Sequence, residues 1–419
     1  MKVLVIGAGG REHAICWALR KSARVTELVC APGNAGIAAI AECLPVKQDD
    51  VPDMLRVVDT TKPDLVVIGP EVPLAAGIVD ALSQRNIRVF GPTQAAAQLE
   101  SSKAFTKDFL ERHTIPTARY TTIHTLDEAR AELPKFSLPV VLKADGLAAG
   151  KGVIIAETAA EADAAVEELL PMNGSVVIEE FLTGDELSVF ALCDGTSATI
   201  IAAAQDHKRI GEGDTGPNTG GMGAYSTDAL LPEDRKQWVL RRVAQPTVDG
   251  MKAEGNPFRG ILFIGLMLTP MGPKVLEFNT RWGDPETEAI LLRLQTDFLD
   301  LVDASIDGTA DTLNIQLKPG AAISVILASA GYPASAEKGV VIHGLDTPQP
   351  ANVQVFHAGT AINAAGEVVT AGGRVLAIAA EAENLRRAAG KAYDAASTIS
   401  FKGMQMRRDI GHRALAREN

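Results

Sequence analysis

Glu277, Asn279 and Arg281 stand at alternate positions in EFNTRWGDPE, residues 277–286. Two apolar runs, 261–268 and 274–276, precede them, separated by the turn signal Pro270-Met271-Gly272-Pro273. That pattern predicts a β-hairpin with a buried second strand, on which alternate side chains share a face. A carboxylate and an amide oxygen so placed suit a hard cation, Mg²⁺ or Mn²⁺, which takes oxygen ligands and shares them with phosphates. Arg281, on the same face, is predicted to grip a carboxylate or phosphate through paired hydrogen bonds. The plain alternative is an edge strand with ordinary polar residues.

A second constellation lies upstream. The apolar run 139–143 (PVVLK) ends in Lys143, and ADGLAAGKGV follows at 144–153. It falls short of a Walker loop, because Gly152 follows Lys151 where that loop has Ser or Thr, and the glycines Gly146 and Gly150 stand one residue too close. A hairpin between strands 140–143 and 153–156 fits better, its tip offering main-chain amides and Lys151 to phosphate oxygens. A flexible surface turn is the competing reading. The run 175–180 (SVVIEE) predicts a strand leading into Phe181 and Leu182. Main-chain groups at such an edge, Glu179 to Leu182, can hold adenine, with Glu186 on ribose hydroxyls.

Residues 205–223, QDHKRIGEGDTGPNTGGMG, show no core-forming periodicity and contain six glycines. A loop so long inside a compact domain is usually functional or disordered. Its Asp206, His207, Lys208, Arg209 and Asp214, with Gly220-Gly221, suit a phosphate-bearing substrate. His207 is read as a surface histidine with no proton-transfer role.

The elements that must position these groups begin with residues 2–6 (KVLVI), then Gly7-Ala8-Gly9-Gly10 and a helical pattern at 11–19. Strands at 27–30, 65–68 and 88–90 follow, each ending in or near glycine, which predicts an open parallel α/β sheet with ligands at its carboxyl edge. A nicotinamide cofactor is excluded by Glu12, where GxGxxG needs glycine, and by the lack of an acid closing the second strand. The amides of Gly9 and Gly10 remain candidates for one phosphate. Ser101-Ser102-Lys103 caps a helix reaching about His113. Strand-like runs at 322–328, 353–357 and 374–379 and a helix at 384–397 predict a small α+β domain at the end. The expected division is 1–102, 103–317 with a mobile lid at about 120–190, and 318–419.

A net charge of −12 argues against binding nucleic acid. No apolar run approaches the ~20 residues of a membrane span, and the chain enters a strand directly, so neither a membrane anchor nor a secretory signal is expected. Cys16, Cys30, Cys43 and Cys193 lack CxxC spacing and are expected to be reduced thiols of a cytoplasmic protein.

Taken together, the strand-end lysine, glycine hairpin, acidic strand edge and Glu/Asn strand resemble the ATP-grasp module, two α+β subdomains that close on ATP and a divalent cation. Longer strings, GREHA at 10–14, APGNAG at 31–36, KADGLAAGKGV at 143–153, GDTGPNTGGMG at 213–223 and NTRWGDPE at 279–286, are similar to those of the glycinamide ribonucleotide synthetases, and the likeness runs from Met1 to Arg408-Asp409-Ile410-Gly411. The resemblance implies a ligase of de novo purine synthesis that joins glycine to 5-phosphoribosylamine with ATP through a glycyl phosphate. It places Lys103 and Lys143 on ATP phosphates, the 146–152 loop (Gly146, Gly150, Lys151, Gly152) over them as a lid, Glu179, Glu180, Phe181 and Leu182 on adenine, and Glu186 on ribose. Glu277 and Asn279 become metal ligands and Arg281 an anchor for glycine or its acyl phosphate. Gly10, Asn34, Asp206, Lys208, Asp214, Thr215, Pro217, Asn218, Thr219, Gly220 and Gly221 face the phosphoribosylamine, with Arg281, Lys143 and Asp206 in catalytic roles. A monomer or weak homodimer is expected. Trp282, where the family usually has phenylalanine, and Asp185, where glutamate is common, are departures beside the site.

Overall fold

The computed structural model describes residues 1–147 and 152–417. The apolar run after Met1 becomes Lys2–Gly7, the middle of a five-stranded sheet ordered Glu42–Cys43, Glu27–Pro32, Lys2–Gly7, Leu65–Ile68, Arg88–Phe90. All pairings are parallel. Val3, Leu4, Val5 and Ile6 are sealed on both faces, which is why the run is continuous instead of alternating. The expected strands are all present. Glu42–Cys43 is an addition, too short to carry a pattern in the sequence.

A second sheet has four antiparallel strands, ordered Tyr120–Ile123, Val176–Glu180, Val140–Ala144, Val153–Ala156. Its inner residues Val140, Leu142, Val176 and Ile178 pack under Ala162, Ala165 and Leu169 of the helix Ala159–Asn173. Thr158 caps that helix through Glu161 N, and Gly174, at φ +77°, ends it. The predicted hairpin 140–143/153–156 is thus an antiparallel pair.

The third sheet is long: Gly272–Asn279, Arg259–Thr269, Asp185–Asp194, Ala198–Asp206, Gly223–Thr227, Ala321–Ala328, Arg374–Ala382, Val353–His357. The strand-like segments predicted for the last part of the chain therefore have no sheet of their own. Gly223–Thr227 pairs with Gln205 and Asp206 on one side and with Ala321–Val325 on the other, splicing them into the central sheet. The helix Glu286–Arg293 is buried along its whole length, acids included, and packs between the long sheet and the helix Gly10–Arg20. Among the described residues no helix is long and apolar enough to cross a membrane.

The 205–223 stretch is not the unstructured loop expected. Arg209–Gly211 and Thr215–Asn218 pair as a two-stranded antiparallel ribbon. Its glycines hid the strand pattern: Gly211 and Gly216 sit where a side chain would meet Thr215 or Ile210 across the ribbon.

Candidate active site

Ser102 accepts a hydrogen bond from Phe105 N at 3.1 Å, fixing the start of the helix Lys103–Arg112. Lys103 thereby lies over the turn at Asp145-Gly146, and its Nζ donates to Gly146 O at 2.7 Å. Asp145 Oδ1 accepts from the main-chain N–H groups of Lys103 (2.6 Å) and Ala104 (3.2 Å), a carboxylate seated on a helix N-terminus. Lys143, near the end of its strand, reaches Glu179 Oε1 at 2.8 Å and donates to Leu276 O at 3.3 Å. Glu179 also holds Lys107 at 2.7 Å, and all three groups are buried. Burial draws the Lys107 ammonium down to about 8 even though Glu179 opposes it. Burial also lowers Lys103.

Several expectations change here. The Glu179 side chain is a counter-ion sealed beneath two lysines, which leaves the expectation of main-chain groups for adenine as it was. The Glu180 carboxylate is taken by Lys274 at 2.6 Å and by Arg119 N at 3.0 Å. Phe181 and Leu182 lie beyond the strand end, Phe181 largely exposed. Gly152 is no part of an open tip, since its carbonyl accepts from Ala144 N at 2.8 Å inside the hairpin. Gly150 and Lys151 lie outside the described residues.

Opposite the lysines runs Gly272–Asn279. It is the edge of the long sheet and only half-buried, not the buried strand expected. A register shift opposite Gly265 and Leu266 breaks the alternation after Val275. Phe278 then packs inward, and Glu277 and Asn279 share the other face. Glu277 lies across Gly265, where a Cβ would come within 3.2 Å of its Cγ. Burial works against the Glu277 carboxylate, yet Lys208, Lys143, Lys103 and Arg281 together hold its pKa below the ordinary value. Lys208, expected on the phosphoribosylamine, instead stands between Glu186 (3.2 Å) and Glu277 (3.9 Å). All three of these side chains are nearly half exposed, at 42%, 48% and 44%.

The donor pair of Glu277 and Asn279 fits a hard divalent cation. Its oxygens are not locked in the core, and among the described residues no cluster of three or more His, Cys, Asp or Glu offers a full protein cage. So few ligands are what Mg²⁺ accepts when phosphates complete its shell.

Arg281 follows the strand end at Asn279 and is already engaged. It meets Glu100 at 2.7 Å and Glu71 at 3.3 Å and donates to Trp282 O at 3.2 Å. In place of the free fork expected, it is an ion-pair node joining the short helices Glu71–Ala76 and Gln98–Ser101 to the edge strand. Thr280 N and Oγ1 also donate to Glu100, at 2.7 and 3.1 Å.

The third part of the site gathers loops from all regions of the chain. Asp206 ends its strand. Burial pushes its carboxyl well above the usual range, Glu286 adding to the effect and Lys208 and Arg374 opposing it. Gly221, at φ +112°, runs so close that a Cβ would fall 2.8 Å from Asp206 Oδ1 and 2.6 Å from Pro285 Cδ. Gly220 N donates to the Tyr332 hydroxyl at 3.0 Å, and its carbonyl accepts from Arg374 Nη1 at 2.6 Å. Thr219 closes the ribbon, its N and Oγ1 both donating to Lys208 O.

Asp214, expected on the substrate, is already ion-paired. Partial burial works against its charge, but Arg407 (2.9 Å) and Arg413 (2.5 Å) hold its carboxyl down to about 2, tying the ribbon to the end of the chain. Thr215, Pro217 and Asn218 are exposed along the ribbon, Thr215 Oγ1 donating to Glu212 O at 2.9 Å. Asn34 is likewise spent. Its Nδ2 donates to Ala8 O and His357 O at 2.8 and 2.7 Å, and its Oδ1 accepts from Gly36 N and Ile37 N. Nor is the Gly9 amide open for a phosphate. Gly9 N donates to Glu12 Oε2 at 2.6 Å, and Glu288 Oε1 lies 2.6 Å from where a Gly10 Cβ would stand.

Sequence reasoning missed Lys107, Asp145, Glu71, Glu100 and Tyr332. Lys107 was findable, being one helical turn after Lys103 and on the same face. The others depend on pairings between segments far apart in the chain.

Paired antiparallel sheets, with Lys143 on one reaching across to the carboxylate strand on the other, make this a member of the ATP-grasp class. The biotin carboxylase domain of Hydrogenobacter thermophilus 2-oxoglutarate carboxylase has the same fold, with a TM-score of 0.76 over 97% of this chain and 91% of that one at 15% identity. Phosphoribosylglycinamide synthetase N, ATP-grasp (A) and C domains match residues 1–100, 101–287 and 322–413. The chain belongs to the phosphoribosylglycinamide synthetase, or phosphoribosylamine–glycine ligase, family. A phosphoribosylamine–glycine ligase of Xanthomonas campestris is 51% identical, over 100% of this chain and 99% of its own length. One from Vibrio cholerae is 48% identical over 100% and 99%. The crystal structure of the Thermotoga maritima enzyme superposes with a TM-score of 0.86 at 36% identity, covering 98% of this chain and 100% of that one.

Proposed function

We infer that the site joins glycine to 5-phosphoribosylamine at the expense of ATP, giving glycinamide ribonucleotide, ADP and phosphate in purine biosynthesis. In the first step a glycine carboxylate oxygen takes the γ-phosphoryl group: an O–P bond forms, the bond to the β-phosphate oxygen breaks, and ADP leaves. In the second, the amine attacks the carbonyl carbon of glycyl phosphate. A C–N bond forms, phosphate departs, and the amine loses its proton. No enzyme nucleophile is needed.

Lys103 and Lys143 take the ATP phosphates, because both ammonium groups approach the edge strand from the lid side. Phe181 and Leu182, with the main chain of Glu179 and Glu180, receive adenine, and Glu186 the ribose. Glu277 and Asn279 hold the divalent cation, Mg²⁺ or Mn²⁺, which when bound neutralises charge on the transferring phosphoryl group. Lys208 between Glu186 and Glu277 adds positive charge at the same point. Arg281 positions the cation strand against the Glu71 and Glu100 loops, with one edge towards glycine. Asp206 and Gly221 border the amine acceptor. A cytoplasmic enzyme, monomeric or weakly dimeric, without nucleic-acid or membrane partners, fits the acidic surface charge.

The observation that carries this reading is the approach of two ammonium groups to the Glu277 strand, Lys208 at 3.9 Å from the Glu277 carboxylate and Lys143 donating to Leu276 O at 3.3 Å. Its test is ADP release by the purified protein. Glycine, phosphoribosylamine, ATP and a divalent cation together are expected to give steady turnover, and omission of any one is expected to cut it to background. Equal turnover without glycine would overturn the assignment.

A further inference from the structure

The acceptor carries a phosphomonoester, and the place where an α/β sheet usually holds one is filled here by the protein's own acids. At the start of the helix Gly10–Arg20, Glu12 occupies the Gly9 amide, and Asp284 Oδ2 and Glu288 Oε1 lie 3.3 and 2.6 Å from where Cβ atoms on Gly9 and Gly10 would stand. Neither carboxyl oxygen of Glu288, buried among these groups, has a hydrogen-bond partner among the described residues. A phosphate brought there would meet three carboxyl groups.

The cations near the acceptor are mostly committed. Arg11 is 6% exposed, spent on Glu12 at 2.5 Å and Trp282 O at 3.1 Å. Arg281 is divided between Glu71 and Glu100, and Lys208 between Glu186 and Glu277. Arg374 differs. Among the described residues its side-chain bonds all run through Nη1: to Gly220 O at 2.6 Å, to Asp284 O at 2.8 Å and to Asp284 Oδ1 at 3.1 Å. Nε and Nη2 keep their donors, and the side chain is 21% exposed. The Tyr332 hydroxyl accepts from Gly220 N and so keeps its own proton to donate. Gly220 brings the two together: a Cβ there would crowd both, at 3.2 Å from Arg374 Cζ, 3.4 Å from its Nη2 and 3.4 Å from the Tyr332 oxygen.

We propose that Arg374 and Tyr332, gathered at Gly220, form the subsite for the 5-phosphate of the amine acceptor. The Nε–Nη2 edge of a guanidinium matches two phosphate oxygens, and the phenol supplies a third donor. The last region of the chain thereby contributes specificity, selecting a phosphorylated ribosylamine over the bare sugar. Arg374 already braces Gly220 against Asp284, so the subsite is held in place by the same side chain that reads the phosphate. The proposal rests on the ligase reading above.

The test compares two acceptors formed in solution, ribose 5-phosphate with ammonia and ribose with ammonia, in glycine-dependent ADP release. The wild type is expected to favour the phosphorylated acceptor strongly in kcat/KM. Arg374→Gln is expected to shrink that preference by about 10- to 100-fold, the value of a charge-assisted pair, with KM for ATP and glycine unchanged. Gly220→Ala is expected to raise KM for the phosphorylated acceptor alone, and it serves where Arg374→Gln folds poorly. If both acceptors slow equally in Arg374→Gln and in Gly220→Ala, so that the preference survives, Arg374 is a brace only and the proposal falls. A wild type inert with glycine and either acceptor would remove the ligase reading itself, and the subsite with it.

Discussion

Glu277→Ala is expected to lower turnover roughly a thousandfold, the several kcal/mol that a cation supplies to a transferring phosphoryl group. The protein is expected to stay folded. Glu277 sits at a sheet edge with 44% of its side chain exposed, and its nearest ion-pair partner, Lys208 at 3.9 Å, keeps Glu186 at 3.2 Å. The loss should appear in kcat, since ATP still meets Lys103 and Lys143. Circular dichroism and thermal unfolding close to wild type, with activity gone, would place the defect in the chemistry. Retained activity would mean that the ion is held elsewhere.

Glu179→Ala is expected to act through stability. Its carboxylate is 2% exposed and answers two ammonium groups, Lys107 and Lys143, each within 2.8 Å. Removing it leaves both charges buried without their partner, which costs about 3–5 kcal/mol in comparable settings. The penalty is local to the four-stranded sheet. Hydrogen exchange in Val140–Ala144 and Val176–Glu180 is the measurement, because unfolding of a chain with several sheets need not be a single transition. Faster exchange confined to these strands is expected, with weaker ATP binding as the lysines shed protons. Exchange unchanged from wild type would mean that the lysines find other compensation.

The local elements were legible in the sequence, and the non-local ones were not. Continuous apolar runs such as residues 2–6 and the Ser102 cap carry their signal within a few residues, so strand and helix emerge where expected. The joining of Gly223–Thr227 to Ala321–Ala328 spans about a hundred residues of chain and leaves no local trace. The same division runs through the site. Residue types at short spacing pointed to Glu277 with Asn279 and to Lys143. Whether a polar group is free or spent depends on what the fold brings against it, and Asn34, Asp214 and Glu179 prove to be spent on His357, Arg407 and Lys107. Lys208 was read as part of a substrate loop. The ribbon's closure by Thr219 instead holds it at the cation strand.

The most direct test is anomalous diffraction from crystals grown with ADP and Mn²⁺. The account predicts a manganese peak about 2.0–2.3 Å from a Glu277 carboxylate oxygen and the Asn279 amide oxygen, bridging to phosphate, with Lys103 and Lys143 on the phosphates' far side. Manganese and diphosphate found together at another place, with Glu277 and Asn279 touching neither, would contradict it.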